Sequence, residues 1–120
     1  MIYLLVFLGG GLGSLLRFLI GKASVQLFFT NFPMGTFISN MMACILLAFF
    51  VVILDEKSSE YEWIHPLFIV GFCGGFSTFS TFGNETFQLL NSGNHLVAIL
   101  NILISVLLGV GLIYFVRIRG

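Results

Sequence analysis

Apolar residues in this chain gather into four long blocks separated by short polar segments. A helix needs about 20 apolar residues to cross a bilayer, because hydrocarbon offers no water to free backbone groups. Residues 2–20, 34–54, 64–90 and 96–116 meet that length and predict four transmembrane helices. The intervening segments are 22–33, the strongly polar 55–63 (DEKSSEYEW) and 91–95, whose Asn-Ser-Gly-Asn content suits a tight reversal. No linker, low-complexity tract or second domain interrupts the pattern. The expectation is an all-α membrane protein, with residues 1–120 forming one four-helix domain. The first block has neither a basic leader nor an Ala-x-Ala cleavage site, so it is expected to remain as a mature helix.

The third block is longer than a span requires. It holds Gly71, Gly74 and Gly75, followed at once by Phe76-Ser77-Thr78-Phe79-Ser80-Thr81-Phe82. Glycine pairs and hydroxyl residues are where membrane helices unwind, and unwound backbone persists only where protein, an ion or a polar cavity satisfies it. An unbroken third helix is therefore not expected. The three phenylalanines recur every third residue, interleaved with hydroxyls, and predict parallel phenyl and hydroxyl ribbons along one helix.

Composition reinforces the membrane assignment: of 120 residues, 58% are hydrophobic and only 8% charged, and the mean hydropathy of +1.10 lies far above that of soluble domains. Five basic residues balance five acidic ones, which leaves no basic surface for nucleic acid and makes the lipid bilayer the natural partner. An even number of spans puts both termini and the 55–63 segment on one side, with Lys57, Arg117 and Arg119. Arg17 and Lys22 belong to the other side. Such a narrow imbalance barely fixes orientation by the positive-inside rule, and suits insertion in both directions.

Catalysis finds no support, since His65 and His95 flank helix ends and no nucleophile is paired with a base. Cys44 and Cys73 lie within apolar blocks and read as packing side chains. The informative residues are polar groups inside spans, which are costly enough in lipid to require a partner or a purpose. Asn40 lies near the middle of the second span, one turn after Thr36, and suits either an interhelical hydrogen bond or a pore. Arg17 either snorkels or lines a vestibule, and Glu85 sits near enough to its span's end for a vestibule. Gly9 and Gly13, like Gly71 and Gly75, have the small-xxx-small spacing that lets helices approach closely. A phenyl ring carries a positive edge. Ring edges beside hydroxyl and amide donors can replace part of an anion's hydration shell without gripping it, as conduction requires.

Together these stretches resemble the Fluc fluoride channels, also called the CrcB family, over essentially the whole chain. The resemblance rests on Gly10-Gly11-Leu12-Gly13-Ser14-Leu15-Leu16-Arg17-Phe18, on Gly35-Thr36-Phe37-Ile38-Ser39-Asn40, and above all on the 71–82 stretch followed by Glu85. It implies an antiparallel, dual-topology homodimer in the cell membrane, with two pores at the subunit interface, a structural sodium ion on the dimer axis and passive export of fluoride. By position it further implies that the backbone carbonyls of Gly74 and Ser77 hold sodium. Phe79 and Phe82 would face fluoride, with Asn40 and Ser105 as polar pore-lining groups. The chain departs from the family pattern at Ala43, Cys44 and Ala48, where glycine or serine is common, and at Ser77, where threonine is usual. Gly109 offers no hydroxyl where some relatives have one.

Two other classes compete. A small dual-topology multidrug transporter needs a carboxylate within its first helix, and this first helix has none. An accessory subunit would account for close helix packing but not for Asn40 or the hydroxyl-rich break.

Overall fold

The computed structural model describes residues 1–57 and 62–119. Their elements, in chain order, are α1 (Ile2–Leu27), α2 (Met34–Lys57), α3 (His65–Cys73), α4 (Gly74–Phe76), α5 (Phe79–Asn91) and α6 (His95–Arg119). The run α3 to α5 forms the third span, so four helical segments, Ile2–Leu27, Met34–Leu54, His65–Asn91 and His95–Arg119, are long and apolar enough to cross a membrane. Only 11% to 22% of the most apolar stretch of each is buried within the chain. The remaining side chains, including Phe7, Phe18, Leu107 and Phe115, are left for lipid or a second protein surface. The long dimension of 51 Å exceeds a bilayer of about 40–45 Å with its headgroups, as helices with emergent ends require.

The apolar blocks marked the spans, but helices run past them. α1 continues to Leu27, about two turns beyond the 2–20 block, because Lys22, Ala23, Gln26 and Leu27 are good helix formers and need no lipid around them. Lys22 holds its ammonium 5.7 Å from the Phe18 ring centroid, a cation–π placement at the end of the apolar run. α2 likewise extends to Lys57, so the expected 55–63 connection begins later; residues 58–61 of it lie outside the described residues. The 91–95 reversal is a tight turn. Gly93 there has φ +89, a left-handed conformation that favours glycine, and Asn94 N–H closes on Leu89 O at 2.8 Å.

The closest packing joins α1 to the first half of the third span. A methyl group built on Gly13 would lie 2.2 Å from Phe72 O and 2.8 Å from Phe76 N, and one on Gly75 would lie 2.5 Å from Gly10 O. Gly9 faces Leu67 O and Gly71 faces Val6 O in the same way. The two glycine pairs thus seat backbone directly on backbone, with no room for a Cβ on either side. α3 is wound with the wider π-type hydrogen-bond spacing. Pro66 stands in its first turn, where the missing N–H is least costly.

The third helix is broken, as expected, but the break falls at Ser77 and Thr78, after the glycines. Ser77 (φ −84, ψ 158) and Thr78 (φ −151, ψ 125) are extended. This corrects the expected single ribbon of phenylalanines. Phe76 ends α4, is fully buried and packs against Phe72, whereas Phe79 and Phe82 begin a separate helix with ring centroids 5.9 Å apart. The break redirects the chain between the first and second rings, so a strict three-residue spacing does not keep all three on one face.

Candidate functional site

An interrupted helix must find partners for the groups it frees. Ser77 N–H still reaches Cys73 O at 3.0 Å, and its hydroxyl donates to the same carbonyl at 2.8 Å. Thr78 is satisfied from outside. Its N–H donates to Asn40 Oδ1 at 2.8 Å, and its carbonyl accepts from Asn40 Nδ2 at 3.3 Å. A backbone N–H can only donate, so this pair fixes which way the Asn40 amide points. Asn40 is therefore an interhelical clamp that holds both backbone groups of one residue, Thr78, with a second amide hydrogen remaining. Thr78 Oγ1 then caps α5 by accepting from Thr81 N–H at 3.2 Å.

Among the carbonyls that lose their usual helical donors at the break are those of Gly74 and Ser77. The Thr78 amide that would close on Gly74 O goes to Asn40, and the Thr81 amide that would close on Ser77 O goes to Thr78 Oγ1. Gly75 O accepts from Arg17 Nε at 3.2 Å. Arg17 thus crosses from α1 and lays its guanidinium on the break.

Beside the break lies an open groove of about 260 Å³ lined by Asn40, Met41 and Cys44 of α2, by Ser77, Thr78, Phe79 and Phe82, and by Ser105 and Val106 of α6. The structure brings Asn40, Phe79, Phe82 and Ser105 together in this one groove, although they come from three spans. None of its lining residues carries a charge. Phe79 is 83% exposed in the single chain, an unusual position for a phenyl ring unless lipid or protein lies against it. Cys44 and Cys73 are free thiols. Gly109 does not line the groove; a methyl there would touch Cys44 Sγ and Met41 Cε at 3.4 Å, where α6 packs on α2.

Glu85 stands apart from the groove, at the end of the molecule where the α1–α2 connection meets the α5–α6 turn. It borders two clefts of about 330 and 190 Å³. Thr36 lines the smaller cleft beside it, and Oε1 is enclosed with no partner among the described residues. Arg17 and Glu85 are therefore not one cluster: the first serves the break, and the second a polar mouth.

One polar group escaped the sequence reading. Asn101, on α6, is 1% exposed and donates from Nδ2 to Thr86 Oγ1 at 2.9 Å. Its place inside an apolar span, like that of Asn40, was the available signal.

Four spanning helices, a broken third span and a side groove without fixed charge define a multi-pass membrane protein of the channel or transporter kind. The chain belongs to a known family of this kind, since the family model described as CrcB-like protein, Camphor Resistance (CrcB), matches residues 4–116. Among its relatives, the fluoride-specific ion channel FluC of Azobacteroides pseudotrichonymphae is 44% identical over 109 residues, covering 88% of this chain and 84% of the relative. FluC of Phocaeicola vulgatus is 44% identical, covering 89% and 88%. FluC of Pyrococcus abyssi is 40% identical, covering 92% and 89%.

Proposed function

We propose that this chain is the subunit of a fluoride channel that lets fluoride leave the cell passively and so limits its toxicity. The observation that carries the reading is the uncharged groove in which Asn40, Phe79, Phe82 and Ser105 converge, in a chain whose relatives are named fluoride-specific channels. A small anion loses part of its hydration shell on entering such a groove. Amide hydrogens and phenyl edges replace that shell, and the absence of a cationic side chain keeps the ion free to leave.

The groove is open along one side of the single chain, and we take a second copy, inserted antiparallel, to close it. The near-balance of basic residues between the two sides, Lys57, Arg117 and Arg119 against Arg17 and Lys22, supports that arrangement. Symmetric pairing would bring two copies of the break together, offering the Gly74 and Ser77 carbonyls of both subunits to a sodium ion. These oxygens fit a hard cation because their helical donors are engaged elsewhere. Bound there, sodium would tie the two breaks together and serve structure.

Fluoride efflux from liposomes containing only this protein, followed with a fluoride electrode, tests the function. Passive efflux is expected. A multidrug transporter or an accessory subunit would give none. Labelling an introduced terminal cysteine, in a background lacking Cys44 and Cys73, tests the arrangement: two orientations are expected, and a single one would exclude the antiparallel homodimer.

A further inference from the structure

The second half of the third span is joined to α6 by a chain of three hydrogen bonds whose direction is fixed from one end. Phe82 O, a carbonyl, can only accept. Thr86 Oγ1 lies 2.8 Å from it and therefore spends its single hydrogen there. That oxygen can then only accept from Asn101, so the amide must present Nδ2, at 2.9 Å. Asn101 Oδ1 is consequently turned toward Ser105, whose hydroxyl must donate to it, at 3.3 Å. Asn101 and Thr86 are 1% and 7% exposed, so water has little access to these atoms.

At the groove, the outcome runs against simple expectation. Ser105 lines it, yet its hydrogen is held behind it and its lone pairs face the space. An anion needs the hydrogen. To obtain it, Ser105 must rotate out of the longest bond of the chain and leave Asn101 Oδ1 unpartnered in a dry site.

We infer that Asn101 is a positioning residue that competes with the permeating anion for the Ser105 proton and so weakens the hold of the groove on that ion. This rests on the fluoride reading above. Thr86 acts one step further back, by locking the amide. Without its hydroxyl, Asn101 is free to turn Nδ2 toward Ser105, which would then accept from it and release its own hydrogen to the groove. The arrangement trades affinity for release, which a conducting path needs.

The test is the fluoride concentration that gives half-maximal initial flux in reconstituted liposomes. Asn101→Leu and Thr86→Val, the latter of nearly unchanged volume, should each lower it about five- to tenfold, the size of one hydrogen bond no longer lost on binding. In a Ser105→Ala background, neither change should move it. A purely structural role would instead reduce maximal flux or dimer yield, whether or not Ser105 is present. An unmoved half-saturation in assembled Thr86→Val, or a shift that persists without Ser105, overturns the proposal. No fluoride flux from the wild-type chain would overturn the fluoride reading itself, and this inference with it.

Discussion

The two halves of the third span meet their neighbours in opposite ways. His65–Phe76 presses carbonyls against the glycines of α1, whereas Phe79–Asn91 is tied to α6 through the side chains of Thr86, Asn101 and Ser105. Backbone seated on backbone has one setting, and any added atom destroys it. Hydrogen-bonded side chains can turn about their own bonds at the cost of one hydrogen bond, without moving the backbone. The break at Ser77 and Thr78 lets one span contain both. Rigidity is placed against α1, and adjustability beside the groove.

The largest effect should follow from intruding on the rigid half. Gly13→Ala would place a methyl 2.2 Å from Phe72 O, and because backbone lies on both sides, the cost should exceed the usual overpacking penalty of about 1–3 kcal/mol. Loss of a monodisperse species in size-exclusion chromatography is expected. Asn40→Asp comes next. It keeps the shape and can still accept from Thr78 N–H, but it brings a carboxylate to the groove. At an effective dielectric of 20, a like charge about 4 Å away costs about 4 kcal/mol, so fluoride flux should fall by about a thousandfold in protein that still folds and reconstitutes.

Phe82→Ile is a gentler probe of the adjustable half, because it keeps apolar bulk and removes only the positive ring edge. An aromatic contact of about 1.4 kcal/mol corresponds to about tenfold in flux. Near-normal flux from the assembled variant would reduce Phe82 to packing. The smallest effect belongs to Gly83→Ala. Nothing lies within 4 Å of the added methyl, so the exchange should raise the thermal stability of the assembled protein by about 0.5–1 kcal/mol through helix propensity alone. A loss as large as that at Gly13 would show that the adjustable half is not open at that position.

Much of this contrast was legible in the residues. Gly9, Gly13, Gly71 and Gly75 declared close helix contact by spacing alone, and Asn40 announced itself as polar where lipid is expected. The four spans followed from length. What remained hidden depends on geometry at a single peptide. A three-residue phenylalanine rhythm predicts one face only if the helix is continuous, and the extended Ser77 and Thr78 end that continuity before Phe79. Arg17 illustrates a second limit. Its partner, Gly75 O, is a backbone atom 58 residues away, and side-chain chemistry along the chain carries no trace of it. The directed bonds from Phe82 O to Ser105 were equally silent, because a sequence shows which groups can donate but not which must.

The Asn40–Thr78 pairing also has a consequence for how the protein is made. A third span entering the bilayer alone would carry an N–H and a carbonyl with no partner in hydrocarbon. The amide that answers both belongs to a helix 38 residues earlier. Synthesis therefore delivers the clamp before the segment that requires it, and the interrupted span never has to wait for a helix still inside the ribosome.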